Sequence, residues 1–165
     1  MKAERSYHRF TVTPKAEASI LQGHPWIYDA EILTVEGTPE NGNLVDILSK
    51  KGRYLGTGFL SEQSKIRVRL ISRNANDRFD AAFWRRRVAY AIAYRKTVMP
   101  GADFQCCRLI HGEADQMPGL TVDRYGSILV AQVLSLGMEQ VKDVVFQALY
   151  DELTRLGEHI TGIYQ

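Results

Sequence analysis

The segment Arg108–Gly126, RLIHGEADQMPGLTVDRYG, crowds acids, arginines and a Pro-Gly break between two apolar runs. A plain strand connection needs only a few turn residues, so this density of ionisable groups makes it the first candidate for chemistry. Glu113 and Asp115, two apart on a loop, are of a type and spacing to carry a proton or hold a hard cation. The same carboxylates serve equally well to cap the turn through backbone N–H groups, or to pair with Arg108 and Arg124. Cys106 or Cys107 with His111 is the one nearby combination for a thiolate–imidazole nucleophile, although cysteines in an apolar strand usually act as small packing residues.

A second set of candidates is basic and aromatic. Lys65, Arg67 and Arg69 alternate with Ile66, Val68 and Leu70, so one face of a strand enters a core and the other presents three cations. That row is either a solvated exterior or a ridge that tracks phosphates, since aligned like charges cost stability unless a polyanion neutralises them. Gly23-His24-Pro25-Trp26 makes a rigid corner in which Trp26 either stacks on a nucleobase or closes the edge of a core. Arg85, Arg86 and Arg87 are consecutive, so on a helix they fan outward as a solvated shoulder.

Other chemistries find little support. The closest approach to a nucleotide-binding glycine loop, Gly56-Thr57-Gly58, lacks a following helix. Adjacent Cys106 and Cys107 have no spaced partners, and His8, His24, His111 and His159 lie far apart, so no metal site is expected. No apolar run approaches the roughly 20 residues of a membrane span, and MKAERSYHRFTV lacks the apolar stretch of a secretory signal. The two cysteines cannot form an ordinary disulfide with each other, which predicts a reducing, cytoplasmic compartment.

The elements that must position these residues differ between the two halves. Residues 1–73 read as short strands (Arg9–Thr13, Trp26–Ile32, Asn43–Leu48, Tyr54–Leu60, Lys65–Ser72) with one short helix over Pro14–Gln22, the pattern of a small barrel. Residues 74–79 have linker polarity. From Asp80, a candidate N-cap, a helix with Trp84, Val88, Ala91 and Ile92 on one face runs to Pro100-Gly101. Strands follow at Cys106–Ile110, Leu120–Val122 and Ile128–Leu134, then a helix over Gly137–Leu156 with Val141, Val144, Val145, Ala148, Leu149 and Leu156 as its apolar stripe. A last strand is expected at His159–Tyr164. The fold class is α+β: a barrel over 1–73 and a smaller α+β domain (strand-strand-helix-strand) over 80–165. Ending at Gln165 directly after a strand predicts a cut chain. Residues 1–75 hold 11 Lys+Arg against 8 Asp+Glu, a net of +3, and residues 76–165 hold 10 against 11, a net of −1. The basic excess therefore lies with the barrel, as a polyanion-binding half would have it.

Three stretches carry a resemblance to a known family. GHPWIYDAEI, then Gly42 with Leu44-Val45-Asp46 and Gly56-Thr57-Gly58-Phe59, then Ser64-Lys65-Ile66-Arg67-Val68-Arg69-Leu70 look like a PUA domain. The family is a bacterial group of class I S-adenosylmethionine-dependent methyltransferases, which methylate cytosine C5 in large-subunit ribosomal RNA. RLIHGEADQMPGLTVDRYG is similar to that family's central-domain signature, with Met117 a mild departure. The resemblance implies a Rossmann-like catalytic domain, with its cofactor loop and its Pro-Pro-flanked cysteine, beyond these residues. Neither Cys106 nor Cys107 has that context, so neither inherits the nucleophile role. What carries over is binding of ribosomal RNA, with Gly23, Pro25, Trp26, Lys65, Arg67 and Arg69 as contacts. Arg108, Glu113, Asp115 and Asp123 are candidates to line the mouth of a catalytic cleft. The chain alone is expected to be inactive and to bind no cofactor. The alternatives are a free-standing RNA-binding module and a central domain that forms a homodimer.

Overall fold

The computed structural model describes residues 5–165, so the first four residues of the expected 1–73 domain lie outside the described ones. The chain divides into two units, Met1–Asp77 and Arg78–Gln165.

In the first unit, β1 (His8–Val12) leads into α1 (Pro14–Leu21), followed by β2 (Trp26–Tyr28), β3 (Ile32–Glu36), β4 (Leu44–Ser49), β5 (Tyr54–Leu60) and β6 (Ile66–Ser72). The Thr13 hydroxyl accepts the Ala16 N–H at 3.2 Å and Pro14 opens the helix, so sequence and capping agree on where α1 starts. Gly23, at φ +102°, takes the chain out of it. The strands form one sheet in the order β2-β6-β5-β4-β1-β3, curled as a half-barrel, in which only the β1–β4 pairing is parallel. Its concave side is filled by Phe10, Val12, Ile27, Val45, Ile47 and Val68, with Ala16 and Ile20 of α1 laid against them.

The single strand expected over Trp26–Ile32 is instead two strands at opposite edges of the sheet. A 3₁₀ turn over Asp29–Glu31 separates them, held by the Glu31 carboxylate accepting the Tyr28 N–H at 2.9 Å. Asp29 N–H donates to the Lys65 carbonyl at 3.0 Å, which ends the β2–β6 pairing there. After the turn, Ile32–Glu36 crosses to pair with β1. Apolar alternation reads the same on both sides of such a turn, so the break is not visible in the pattern.

The second unit contains α2 (Ala81–Val98), β7 (Cys106–His111), β8 (Leu120–Tyr125), β9 (Ile128–Val133), α3 (Leu136–Arg155) and β10 (Gly162–Tyr164). Its sheet has the order β10-β9-β8-β7, antiparallel except for β10 beside β9. Asp80 caps α2 by accepting the Phe83 N–H at 3.0 Å, and Phe83, Trp84, Val88, Ala91 and Ile92 face its core. Ser135 caps α3, whose buried stripe is Met138, Val145, Ala148, Leu149 and Leu153. Val144, expected in that stripe, is 39% exposed, because the core-facing arc is narrower than the run of valines around it. Among the described residues, no helix is long and apolar enough to cross a membrane.

Candidate nucleic-acid interface

The β2–β6 edge brings most of the basic and aromatic candidates together. Ile27 faces Val68 inside the core, so the partner pair Trp26–Arg69 falls on the outer face. There the rings cluster: His24 meets Trp26 edge-on at 5.7 Å between centroids and stacks on Tyr28 at 6.4 Å. Trp26 is half-buried on this surface and is not part of the core. The Pro25 carbonyl accepts the Leu70 N–H at 2.8 Å, which fixes the corner against β6. A Cβ at Gly23 would meet open space, so glycine is required there by its positive φ alone.

The three cations of β6 are not equivalent. Lys65 precedes the strand and is exposed. Arg67 is fixed within the fold: its guanidinium donates to Asp29 at 2.9 Å through Nε, with Nη2 at 2.8 Å from the same oxygen, and to the Glu62 carbonyl at 2.5 Å. The structure thus neutralises this position with a carboxylate from the turn after β2. Arg69 donates to the Ser61 hydroxyl at 3.0 Å and the Ile66 carbonyl at 3.3 Å, and among the described residues no carboxylate pairs with it. Its positive charge is therefore uncompensated beside Trp26, an arrangement suited to a phosphate next to a stacked base.

A buried polar cluster in the same unit escaped the sequence reading. Arg5 donates to both oxygens of Asp46 at 2.9 and 3.0 Å, to the Thr57 hydroxyl at 2.6 Å and to the Ala75 carbonyl at 2.6 Å. Thr57 in turn donates to Asp46 at 2.5 Å and shares a hydrogen with the Tyr54 hydroxyl at 2.8 Å. Burial pushes the Tyr54 phenol up. Residues 5, 46, 57 and 75 are far apart in sequence, so no local pattern announces this clamp. Its only hint was an aspartate in the apolar run of β4.

The glycines of Gly56-Thr57-Gly58 lie inside β5. A Cβ at Gly58 would stand 2.3 Å from the Arg69 carbonyl oxygen, and one at Gly56 would stand 2.9 Å from the Ser72 carbonyl oxygen. Close strand packing uses up their small size, and they do not fit a nucleotide loop.

In the second unit, the charged segment is tied into the fold, with Asp115 accepting a backbone N–H as a turn cap would and with ion-pair partners that differ from the expected ones. Asp115 pairs with Arg95 of α2, at 2.6 and 3.3 Å, and accepts the His111 N–H at 2.6 Å. Both side chains of that pair are 10% exposed, and Arg95 also donates to the Arg108 carbonyl at 2.8 Å. Arg108 pairs with Asp123 at 2.8 and 3.1 Å, while Arg124, 1% exposed, donates to Glu158 at 2.8 Å and Gln105 at 2.7 Å. These bonds hold the Glu158 carboxyl below its ordinary range. Glu113 lies half-buried in the 3₁₀ turn Gly112–Asp115, four residues ahead of Met117, which is wholly buried.

The Cys–His pairing is not formed. A bulge between Arg108 and Ile110 lets Leu109 and Ile110 both face inward and turns His111 out beside Arg108, with 3.3 Å from its Nδ1 to the guanidinium. Cys107 is buried and its thiol donates to the Phe104 carbonyl at 3.6 Å, and burial pushes the thiol up, away from a reactive thiolate.

The uncompensated Arg69 beside Trp26 and the curled six-stranded sheet lie within one segment that matches a known family model. Residues 10–73 match the model of a PUA-like domain. Relatives extend the likeness past this PUA-like domain. The chain is 34% identical over 143 residues to ribosomal RNA large subunit methyltransferase I of Klebsiella pneumoniae, covering 87% of this chain and 36% of that protein. It is 36% identical over 142 residues to the protein of the same name from Shewanella denitrificans, covering 86% and 36%. The chain is homologous to these proteins and spans about a third of their length. Among solved structures, a candidate SAM-dependent methyltransferase from Streptococcus mutans superposes with a TM-score of 0.77 at 19% identity, over 94% of this chain and 40% of that one. A candidate methyltransferase complexed with SAH superposes at 0.75, with the same identity and coverage. These two show that the fold recurs in larger proteins.

Proposed function

We propose that these 165 residues are the RNA-binding portion of an S-adenosylmethionine-dependent ribosomal-RNA 5-methylcytosine methyltransferase, whose catalytic domain belongs to the rest of the parent protein. The match of residues 10–73 to the PUA-like domain carries this reading. The homology to ribosomal RNA methyltransferases supports the substrate class, and their coverage of only about a third supports a larger parent. The binding face is the outer side of β2 and β6. Trp26 supplies a stacking ring, Arg69 and Lys65 meet phosphates, Gly23 and Pro25 set the corner, and Arg67 braces it through Asp29.

S-adenosylmethionine is the cofactor of the parent. The residues described do not fit it, since the one Gly-x-Gly is buried in β5, which supports reading the chain alone as inactive. In the parent, the exposed Arg108–Asp123 pair and Glu113 line the mouth of the cleft, with Asp115 as buried support. Free Cys106 and Cys107 fit a reducing, cytoplasmic setting.

Titrating the chain against purified bacterial large-subunit ribosomal RNA tests the reading. Arg69→Ala should weaken binding and reduce the salt slope by about 0.7 to 0.9. An unchanged slope and affinity would remove β6 from the interface. Calorimetric heat on adding S-adenosylmethionine to the chain would refute its proposed silence.

A further inference from the structure

Outside the β2–β6 face, α2 carries a second exposed surface. Over Ala81–Val98 the helix has Arg85, Arg86, Arg87, Arg95 and Lys96 and no carboxylate at all. Its inner face is spent on Phe83, Trp84, Val88, Ala91 and Ile92. Its outer face presents Tyr90 at 63%, Tyr94 at 58% and Val98 at 50% exposure, spaced four residues apart along one stripe. Arg86 continues the stripe one turn earlier and is exposed, its guanidinium 5.5 Å from the Phe83 ring centroid. Arg85, exposed next to it, makes no ion pair or hydrogen bond within the described residues. The buried Arg95 guanidinium stands 5.0 Å from the Tyr94 ring centroid, which steadies that ring.

We infer that the outer face of α2 binds single-stranded RNA, stacking two bases on Tyr90 and Tyr94 with Arg85 and Arg86 on the phosphates. Charge complementarity chooses the occupant. Arg95 and Lys96 are met by Asp115 and Glu158 from outside the helix, but the exposed end with Arg85 and Arg86 lies on a helix with no carboxylate of its own, which disfavours a basic partner, whereas flat rings flanked by guanidinium groups suit a polyanion with π faces. The two rings are about 6 Å apart along the helix axis, one nucleotide step of an extended strand with its bases unstacked. This rests on the RNA-binding reading above and extends it to a second contact, on a different unit from the PUA-like domain.

The test uses the full 165-residue chain and a fluorescein-labelled single-stranded polyuridylate probe, read by anisotropy. Tyr90→Ala with Tyr94→Ala should weaken binding about 25-fold, about fivefold for each lost stack. Circular dichroism should be unchanged, because alanine favours an exposed helix position. Tyr90→Phe with Tyr94→Phe should bind within about twofold of the parent, since stacking needs the ring and not the hydroxyl. Arg85→Gln should lower the salt slope by about 0.7. If the parent chain binds and Trp26→Ala with Arg69→Ala weakens it while the tyrosine pair does not, the inference about α2 is overturned and the β2–β6 reading stands. If the parent chain binds no RNA of any kind, both fall. If light scattering finds a dimer that Tyr94→Ala dissolves, the face belongs to a second copy and the inference is overturned.

Discussion

The Arg124–Glu158 pair gives a quantitative test of how the charged segment works. Arg124 is 1% exposed and donates to the Gly126 carbonyl at 2.8 Å, to Gln105 at 2.7 Å and to Glu158 at 2.8 Å, with its Nη1 left without an acceptor. Its guanidinium also lies 4.9 Å from the Phe104 ring centroid. Glu158→Gln keeps the volume and one acceptor oxygen while removing the only carboxylate that the described residues set on this buried cation. A charged hydrogen bond exceeds a neutral one by about 1–2 kcal/mol, and leaving a buried charge without its counter-ion costs about 3–5 kcal/mol. Because two carbonyl-type acceptors and the ring remain, the expected loss is about 2 kcal/mol, near the lower bound.

The pH dependence fixes the cause. Glu158 is held below its ordinary value, foremost by the hydrogen bond from Arg124. Its contribution is therefore complete above the unfolded value of roughly 4.3. It is lost as pH falls from there through the depressed folded value. The assay is urea unfolding followed by Trp84 fluorescence in a Trp26→Phe background, so that the one remaining tryptophan reports the second unit. The gap between parent and variant should be full at pH 7 and close toward pH 3. A gap that stays constant across that range, or a variant as stable as the parent at pH 7, would refute the reasoning.

Arg5→Ala strands the buried Asp46 carboxylate and should destabilise the first unit by about 3 kcal/mol, measured by urea unfolding with Trp26 as reporter in a Trp84→Phe background. Gly58→Ala drives a methyl into the Arg69 carbonyl and should cost at least about 2 kcal/mol by the same assay. Native chain should react at one thiol, the exposed Cys106, with an aromatic disulfide reagent, and at both after denaturation. Rapid labelling of two thiols in the native state would contradict the burial of Cys107.

Much of the fold was legible because local rules decide it. The cap at Asp80, the start of α1 at Pro14, the β5 span and the period-two strand β6 follow from backbone chemistry and burial period, which neighbouring residues set between them. The PUA-like resemblance rested on likeness to a known family in the stretches around Gly23-His24-Pro25-Trp26, Gly56-Thr57-Gly58 and Ser64–Leu70, and not on these local rules. The turn at Asp29–Glu31 was not legible, since alternation continues across it and only the hydrogen bonds to Glu31 and Lys65 break the strand.

Of the candidate residues, sequence determined their types and, on β6, that Arg67 and Arg69 share a face. Only the tertiary structure decided what each charge is for. Arg67 is neutralised by Asp29 from 38 residues away, Asp115 by Arg95 and Asp46 by Arg5, whereas Arg69 has no carboxylate among the described residues beside Trp26. A bulge at Leu109, invisible in the residue pattern, parts Cys107 from His111. The physical reason is common to all of these. Alternation and helical period fix which way a side chain points, but a charge is satisfied or left available by groups distant along the chain, and only the folded arrangement brings those to it.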